Sequence, residues 1–310
     1  MSRPVLIIDT DTASDDAVAL IMALRSPAVE VAAVTTVAGN CPVDQATRNA
    51  LYTAQLCGSD VPVHRGADRP LLVPAAYATW FHGEDGLGDQ GYPPPDRAPD
   101  QMAGVPALIE AIRANPGCVL VTLGPLTNVA LAVTQDPGLV ELVDRCVVMG
   151  GNANRVGNVT PAAEFNLWFD PHAAAVVFGS GLPIEMAGWE LCRASAGLDA
   201  GEQAEIRSLD TELGHFALDC NATAIRAIRE QSGADTLELP DPVAMAVALD
   251  RAGVVRRASR HHVAIETQSP LTRGMSVVDS LDVTGQPANV DVVWEIDIAR
   301  FKAMVVDALR

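Results

Sequence analysis

Four carboxylates fall between positions 9 and 16 of the 310-residue chain, at Asp9, Asp11, Asp15 and Asp16, directly behind the apolar run Val5-Leu6-Ile7-Ile8. Like charges this close are costly unless solvent, helix-start amides or a cation offsets them. Helix capping explains any one of these acids, because Asp and Ser are favoured in a first helical turn, and Thr12 with Asp15 has the spacing of a capping box. It explains all four together poorly. A hard divalent cation, which selects carboxylate and carbonyl oxygens, accounts better for the whole cluster.

The elements that must position these acids are a strand and a helix. The run before Asp9 reads as a buried strand, and the apolar stretch 17–24 behind Asp16 reads as a helix. Strand and helix patterns then alternate, with strands at 29–37, 61–64, 118–123, 146–149 and 183–187, helices over 43–56 and 105–114, one opened by Gly124-Pro125, others from Asp170 and from Asp241, and a helical region over about 201–230. Such alternation with short connections implies an α/β fold, a mostly parallel, doubly wound, Rossmann-like open sheet with helices on both faces. Three further strand patterns, 262–267, 275–279 and 290–296, followed by a helix from about Ala299, suggest a meander that finishes the sheet. Without repeat, low-complexity tract or linker, residues 1–310 read as a single domain. The stretch 66–103 breaks the rhythm: it is rich in Pro, Gly and Asp and carries Trp80-Phe81-His82-Gly83-Glu84, which suggests a lid over the site.

Composition narrows the partners. A net charge of −18 argues against nucleic acid and anionic membranes, which select for Lys and Arg. The six cysteines show no C-x-x-C pair, and no signal peptide or apolar span is evident, so a cytoplasmic protein is expected. In an open α/β sheet the ligand crevice lies beyond the carboxyl ends of the strands. Asp9 to Asp16, Asn40, the Leu123-Gly124 turn and the segment from Asn152 to Asn166 all fall at such ends, with Asp241 arriving at a late helix start. Carboxylates around a metal with Asn and Glu nearby suit a ligand made of hydroxyls, such as a sugar.

At this point the chain resembles a known family, the inosine/uridine-type, calcium-dependent nucleoside hydrolases. The resemblance rests on Asp9-Thr10-Asp11-Thr12-Ala13-Ser14-Asp15-Asp16, Val37-Ala38-Gly39-Asn40, Leu123-Gly124-Pro125-Leu126-Thr127-Asn128, Met149-Gly150-Gly151, Ala163-Glu164-Phe165-Asn166 with Asp170-Pro171, and Asp241-Pro242. These stand in the family's order across nearly the whole sequence. The resemblance implies Ca²⁺-dependent hydrolysis of the N-glycosidic bond of a ribonucleoside to ribose and free base. It implies that Asp11, Asp16 and Asp241 bind Ca²⁺ through carboxylates and Leu123 through its carbonyl, and that Asp11 is also the general base. Asp15 and Asn166 would grip the 2′ and 3′ hydroxyls, Asn158 and Glu164 the 5′ hydroxyl, while Asn40 and Met149 would line the ribose. Asp9 would support them from behind, and the family's members suggest a homodimer or homotetramer.

One position departs from the pattern. Many members carry a His directly before the late metal-binding Asp, and others a Trp; here it is Pro240. His82 is the substitute expected for the leaving base, with Trp80 to stack on it; Arg226 and Arg229 are further candidates, better explained as a solvated helix face. Two rival readings remain: a nucleoside- or ribose-binding module without catalysis, and a haloacid-dehalogenase-type phosphatase, which also opens on a strand followed by Asp-x-Asp. Purine versus pyrimidine preference is not legible.

Overall fold

The computed structural model describes residues 3–154 and 156–310. Among them, nine strands form one sheet: β1 (Val5–Thr10), β2 (Glu30–Thr36), β3 (Val63–Arg65), β4 (Cys118–Thr122), β5 (Val143–Met149), β6 (Ile184–Ala187), β7 (Val255–Ile265), β8 (Ser276–Asp279) and β9 (Val290–Ile296). Their order is β3-β2-β1-β4-β5-β6-β9-β7-β8. All pairings from β3 to β9 are parallel; β7 runs antiparallel to both β9 and β8.

The doubly wound expectation is met, and β1 shows why. Its side chains alternate between two cores: Leu6 and Ile8 pack on one face with the helices Ser14–Leu24, Val43–Leu56, Pro240–Leu249 and Ile298–Leu309. Ile7 packs on the other with Gly104–Ala114, Thr127–Gln135 and Pro171–Phe178. A strand buried on both sides reads as a continuous apolar run, which is what residues 5–8 are. The chain passes back over β1 between β2 and β4, so the carboxyl ends of β1, β2 and β4 flank a switch point where an open sheet leaves a crevice.

Two expectations are corrected. The last strands are not a meander: β9 inserts between β6 and β7, and its parallel pairing continues the main sheet. β7 also begins seven residues earlier than its apolar signal at position 262, because Val255 to His261 is polar and half exposed, and only its pairing with β9 holds it extended. The helical region expected at 201–230 is there, as the three helices Ala200–Ser208, Glu212–Asp219 and Ala222–Ser232. Asp210 sits in the left-handed region at φ 53° at the first break. No helix among the described residues is long and apolar enough to cross a membrane.

Candidate active site

The β1 carboxyl end runs into the helix Ser14–Leu24 through a tight turn, and Asp16 closes it. Its carboxylate accepts the Ala13 N–H at 2.9 Å and the Thr10 hydroxyl at 2.5 Å. The cap expected from Thr12 and Asp15 is thus supplied one residue later, which leaves Asp15 free to face the cavity it lines. Asp11 is wedged between two glycines: a Cβ on Gly39 would fall 2.0 Å from its Oδ2, and one on Gly124 2.7 Å from its Oδ1. The Asn40 N–H donates to Asp11 Oδ2 at 2.6 Å, whereas Asp11 Oδ1 is buried without a partner.

Asp241 enters at the start of the helix Pro240–Leu249, and the carboxylates of Asp15, Asp16 and Asp241 approach within 4.8 Å of one another. All of these acids are buried. Burial and then mutual repulsion push Asp11 and Asp241 well above the usual carboxylate range and Asp15 up to about 7. Burial likewise raises Asp16, partly offset by its hydrogen bonds. Among the described residues no Lys or Arg pairs with this group; the nearest basic atom is His82 Nδ1, 3.9 Å from Asp15 Oδ1. A partnerless oxygen, four crowded acids and hard oxygen donors throughout fit a divalent cation.

The neighbouring strand ends complete the cavity wall beside these acids. The Leu123 N–H bonds to the Asp9 carbonyl, fixing the peptide at the end of β4, and Asn166 Nδ2 donates to the Leu123 carbonyl at 2.8 Å and to Met149 Sδ at 3.2 Å. One lone pair of that carbonyl stays available. Glu164 caps the short helix Phe165–Phe169 by accepting the N–H groups of Asn166, Leu167 and Gly151, and burial pushes it up to about 7. Asn158 Oδ1 accepts the Phe165 N–H. Asp15, Asn40, Leu123, Met149, Asn158, Glu164, Asn166 and Asp241 all line one cavity.

Asp9 stands behind this wall. It is fully buried, accepts from the Thr35 hydroxyl and from Asn128 Nδ2 at 2.7 Å, and burial raises it to about 7. Asn128 also holds the Thr36 carbonyl and the Ala67 N–H, so one amide ties β1 to β2 and to the start of the 66–103 segment. Asn128 closes the motif that begins at Leu123, whereas Thr35 stands in no such pattern and owes this role to its position opposite Asp9.

The segment 66–103 lines the cavity through Ala78, Trp80, Phe81 and His82. Its helix Thr79–His82 is held by the Ala78 N–H on the Asn40 carbonyl, and Asn49 Nδ2 bonds to the Asp85 carbonyl. His82 is buried against the Ser14 hydroxyl, 2.8 Å from Nδ1, and burial pushes its imidazole down to about 3. Trp80 lines the cavity from the rim with 57% of its surface exposed. Arg226 and Arg229 do not line it: they bind Thr223 and Asp235, while the same helix contributes Ile228, Gln231 and Ser232. Trp189, Arg193, Asn221 and Glu238 also line the cavity and carry no sequence pattern that would single them out.

This geometry is matched by known proteins. The model of the family described as "Inosine-uridine preferring nucleoside hydrolase" matches residues 6–303. The chain belongs to that family. It is 40% identical, over its whole length and 96% of the relative's, to the pyrimidine-specific ribonucleoside hydrolase RihA of Shewanella sp. (strain ANA-3). It is 38% identical, over 98% of each chain, to an uncharacterized protein of Schizosaccharomyces pombe. Among solved structures, a plant nucleoside hydrolase superposes with a TM-score of 0.93 at 30% identity over 99% of both chains. A purine-preferring ribonucleoside hydrolase from Gardnerella vaginalis does so with a TM-score of 0.90 at 29% identity over 98% of both. As a nucleoside hydrolase, the chain is an enzyme that cleaves the N-glycosidic bond of ribonucleosides, and the phosphatase and binding-module readings fall away.

Proposed function

We propose that this nucleoside hydrolase uses Ca²⁺ held by Asp11, Asp16, Asp241 and the Leu123 carbonyl, with the Asp15 carboxylate within 4.8 Å of those of Asp16 and Asp241, to hydrolyse ribonucleosides. The observation that carries the reading is the unbalanced charge: buried acids crowd together, and among the described residues no Lys or Arg offsets them and Asp11 Oδ1 has no partner. Ca²⁺ accepts about 6–8 oxygens in a flexible shell, more than the chain offers, which leaves room for water and ribose hydroxyls. When bound, the cation supplies the missing counter-charge and makes a neighbouring water more acidic.

The chain's own groups do the rest. Asp11 Oδ1 takes a proton from the attacking water, whose oxygen bonds to the anomeric carbon as the C–N bond breaks and its electron pair leaves with the base. Asp15 and Asn166 hold the 2′ and 3′ hydroxyls, and Asn158 and Glu164 the 5′ hydroxyl; Asn40 and Met149 wall the ribose. Fixing the sugar in this way supplies orientation. The acidic wall stabilises the oxocarbenium-like charge that develops on it. Asp9 keeps the turn in place through Asn128. His82, neutral because it is buried, offers an N–H toward the leaving side, and Trp80 gives the base a surface to stack on.

Relatives at 36–40% identity carry the name pyrimidine-specific, whereas the purine-preferring neighbour is 29% identical, which favours pyrimidine nucleosides as substrates. The same reading takes residues 1–310 as one domain with 66–103 as its lid, working as a homodimer or homotetramer in a reducing cytoplasm, in keeping with six free cysteines. Purified enzyme is assayed on uridine, cytidine, inosine and adenosine with and without EDTA. Base release that EDTA abolishes and Ca²⁺ restores is expected; release indifferent to EDTA overturns the metal site, and no release from any nucleoside overturns the hydrolase reading.

A further inference from the structure

The leaving base needs a partner that Pro240 cannot be, and the far end of the cavity holds an unused cation. Arg193 is the single Arg or Lys among the described residues that line the cavity. It follows the short turn Trp189–Cys192, which continues from β6 beside Met149. Its guanidinium carbon lies 4.3 Å over the Trp189 ring, and stacking of this kind fixes the plane of the fork. Its Nε is 3.8 Å from Glu238 Oε1, too long for a hydrogen bond, and no side-chain hydrogen bond ties its N–H groups to another described residue. The next residue, Ala194, is held at φ 54°, a strained conformation for a non-glycine residue. Glu238 stands three positions before Asp241, on the other side of Leu239 and Pro240, so one helix start carries the acid of the metal cluster and the acid of the Arg193 pair.

We infer that Arg193, stacked on Trp189 and backed by Glu238, recognises the leaving base and stabilises the negative charge it acquires. The inference rests on the hydrolase reading above and adds the base end to it. A guanidinium N–H beside a carboxylate presents a donor next to an acceptor. That pattern complements a carbonyl beside a ring N–H, the edge of uracil, and mismatches the edge of cytosine, whose ring nitrogen carries no proton. When the C1′–N bond breaks, its electron pair goes to the base and spreads onto the ring carbonyls. Arg193 donates a hydrogen bond to one of them without giving up its proton, and the base nitrogen takes its proton from water.

The test compares uridine with p-nitrophenyl riboside, whose leaving group is stable as an anion and has no such edge. Arg193→Met keeps a chain long enough to cover Trp189 but loses the charge. It is expected to lower kcat/KM for uridine about thirtyfold more than for p-nitrophenyl riboside, with Arg193→Lys between the two. Equal losses on both substrates overturn the assignment and make Arg193 a packing residue, while the hydrolase reading survives. If the unsubstituted enzyme releases base from no nucleoside, it is the hydrolase reading that fails. Glu238→Gln, whose amide donates to the cytosine ring nitrogen, is expected to shift the uridine-to-cytidine ratio of kcat/KM about tenfold toward cytidine. An unchanged ratio removes Glu238 from base recognition.

Discussion

The two ends of the cavity are made in different ways. The proposed sugar end is built at the carboxyl ends of β1, β2, β4 and β5, with Asp241 added from the start of the helix Pro240–Leu249, and its acids at Asp11, Asp15, Asp16 and Asp241 are buried. The proposed base end comes from outside the sheet: the 66–103 segment, the turn after β6 and the helix Ala222–Ser232. There Trp80 is 57% exposed and the Arg193 side chain 42% exposed. Sheet geometry fixes a reaction shared by many substrates, whereas connections can be exchanged without disturbing it.

The comparison breaks most sharply at Asp11. Asp11→Ala removes a proposed metal ligand and the proposed base together, and is expected to lower kcat by about a thousandfold or more on every substrate, p-nitrophenyl riboside included. Steady-state rates on that riboside and on uridine check it. Turnover within tenfold of the unsubstituted enzyme on either would remove Asp11 from the chemistry.

The same division decides what could be read before the structure. Asp9 to Asp16, Leu123-Gly124 and Glu164-Phe165-Asn166 are short contiguous patterns at strand ends, and the parallel sheet brings them together in the order in which they are spelled. Of the ten residues expected to hold metal or ribose, eight line the cavity, and Asp11 and Asp16 are fully buried in its wall. Arg193 and Glu238 meet only because the turn after β6 lies beside the start of the helix Pro240–Leu249, 45 positions later in the chain. No local pattern encodes such a meeting. The position of β9 between β6 and β7 was hidden for a similar reason, since strand order is set by long-range pairing and not by the period of any one strand.

His82 lies on the seam between the two ends and can be assigned by experiment. Its imidazole touches Ser14 and approaches Asp15, yet it belongs to the segment that carries Trp80. If it serves the leaving base, His82→Ala slows uridine about ten- to a hundredfold and p-nitrophenyl riboside several times less. Equal slowing of the two assigns it instead to holding Asp15 on the ribose. Because burial keeps His82 neutral down to about pH 3, its own titration is not expected to appear in the kcat profile near neutrality.

The smallest expected effect concerns stability. Burial raises Glu164 from 4.5 to about 7, so between those values the native enzyme binds a proton that the unfolded chain has released. The resulting stabilisation is fully present below about pH 4.5 and is lost as pH rises through about 7; at roughly 1.4 kcal/mol per pKa unit its ceiling is ~3 kcal/mol. Glu164→Gln cannot titrate. Its amide faces the N–H groups of Gly151, Asn166 and Leu167, an added cost that is the same at every pH. Asp9, raised to about 7, acts in the same sense, and His82, lowered to about 3, acts in the opposite sense below pH 6.5, but both are common to the two proteins and cancel in their difference. Thermal melts of both in EDTA at pH 5 and pH 8 should therefore show the deficit of the Gln variant shrinking by a few degrees at the higher pH. A deficit that stays constant would place Glu164 in a wetter, more base-end-like environment and blur the contrast between the two ends of the cavity.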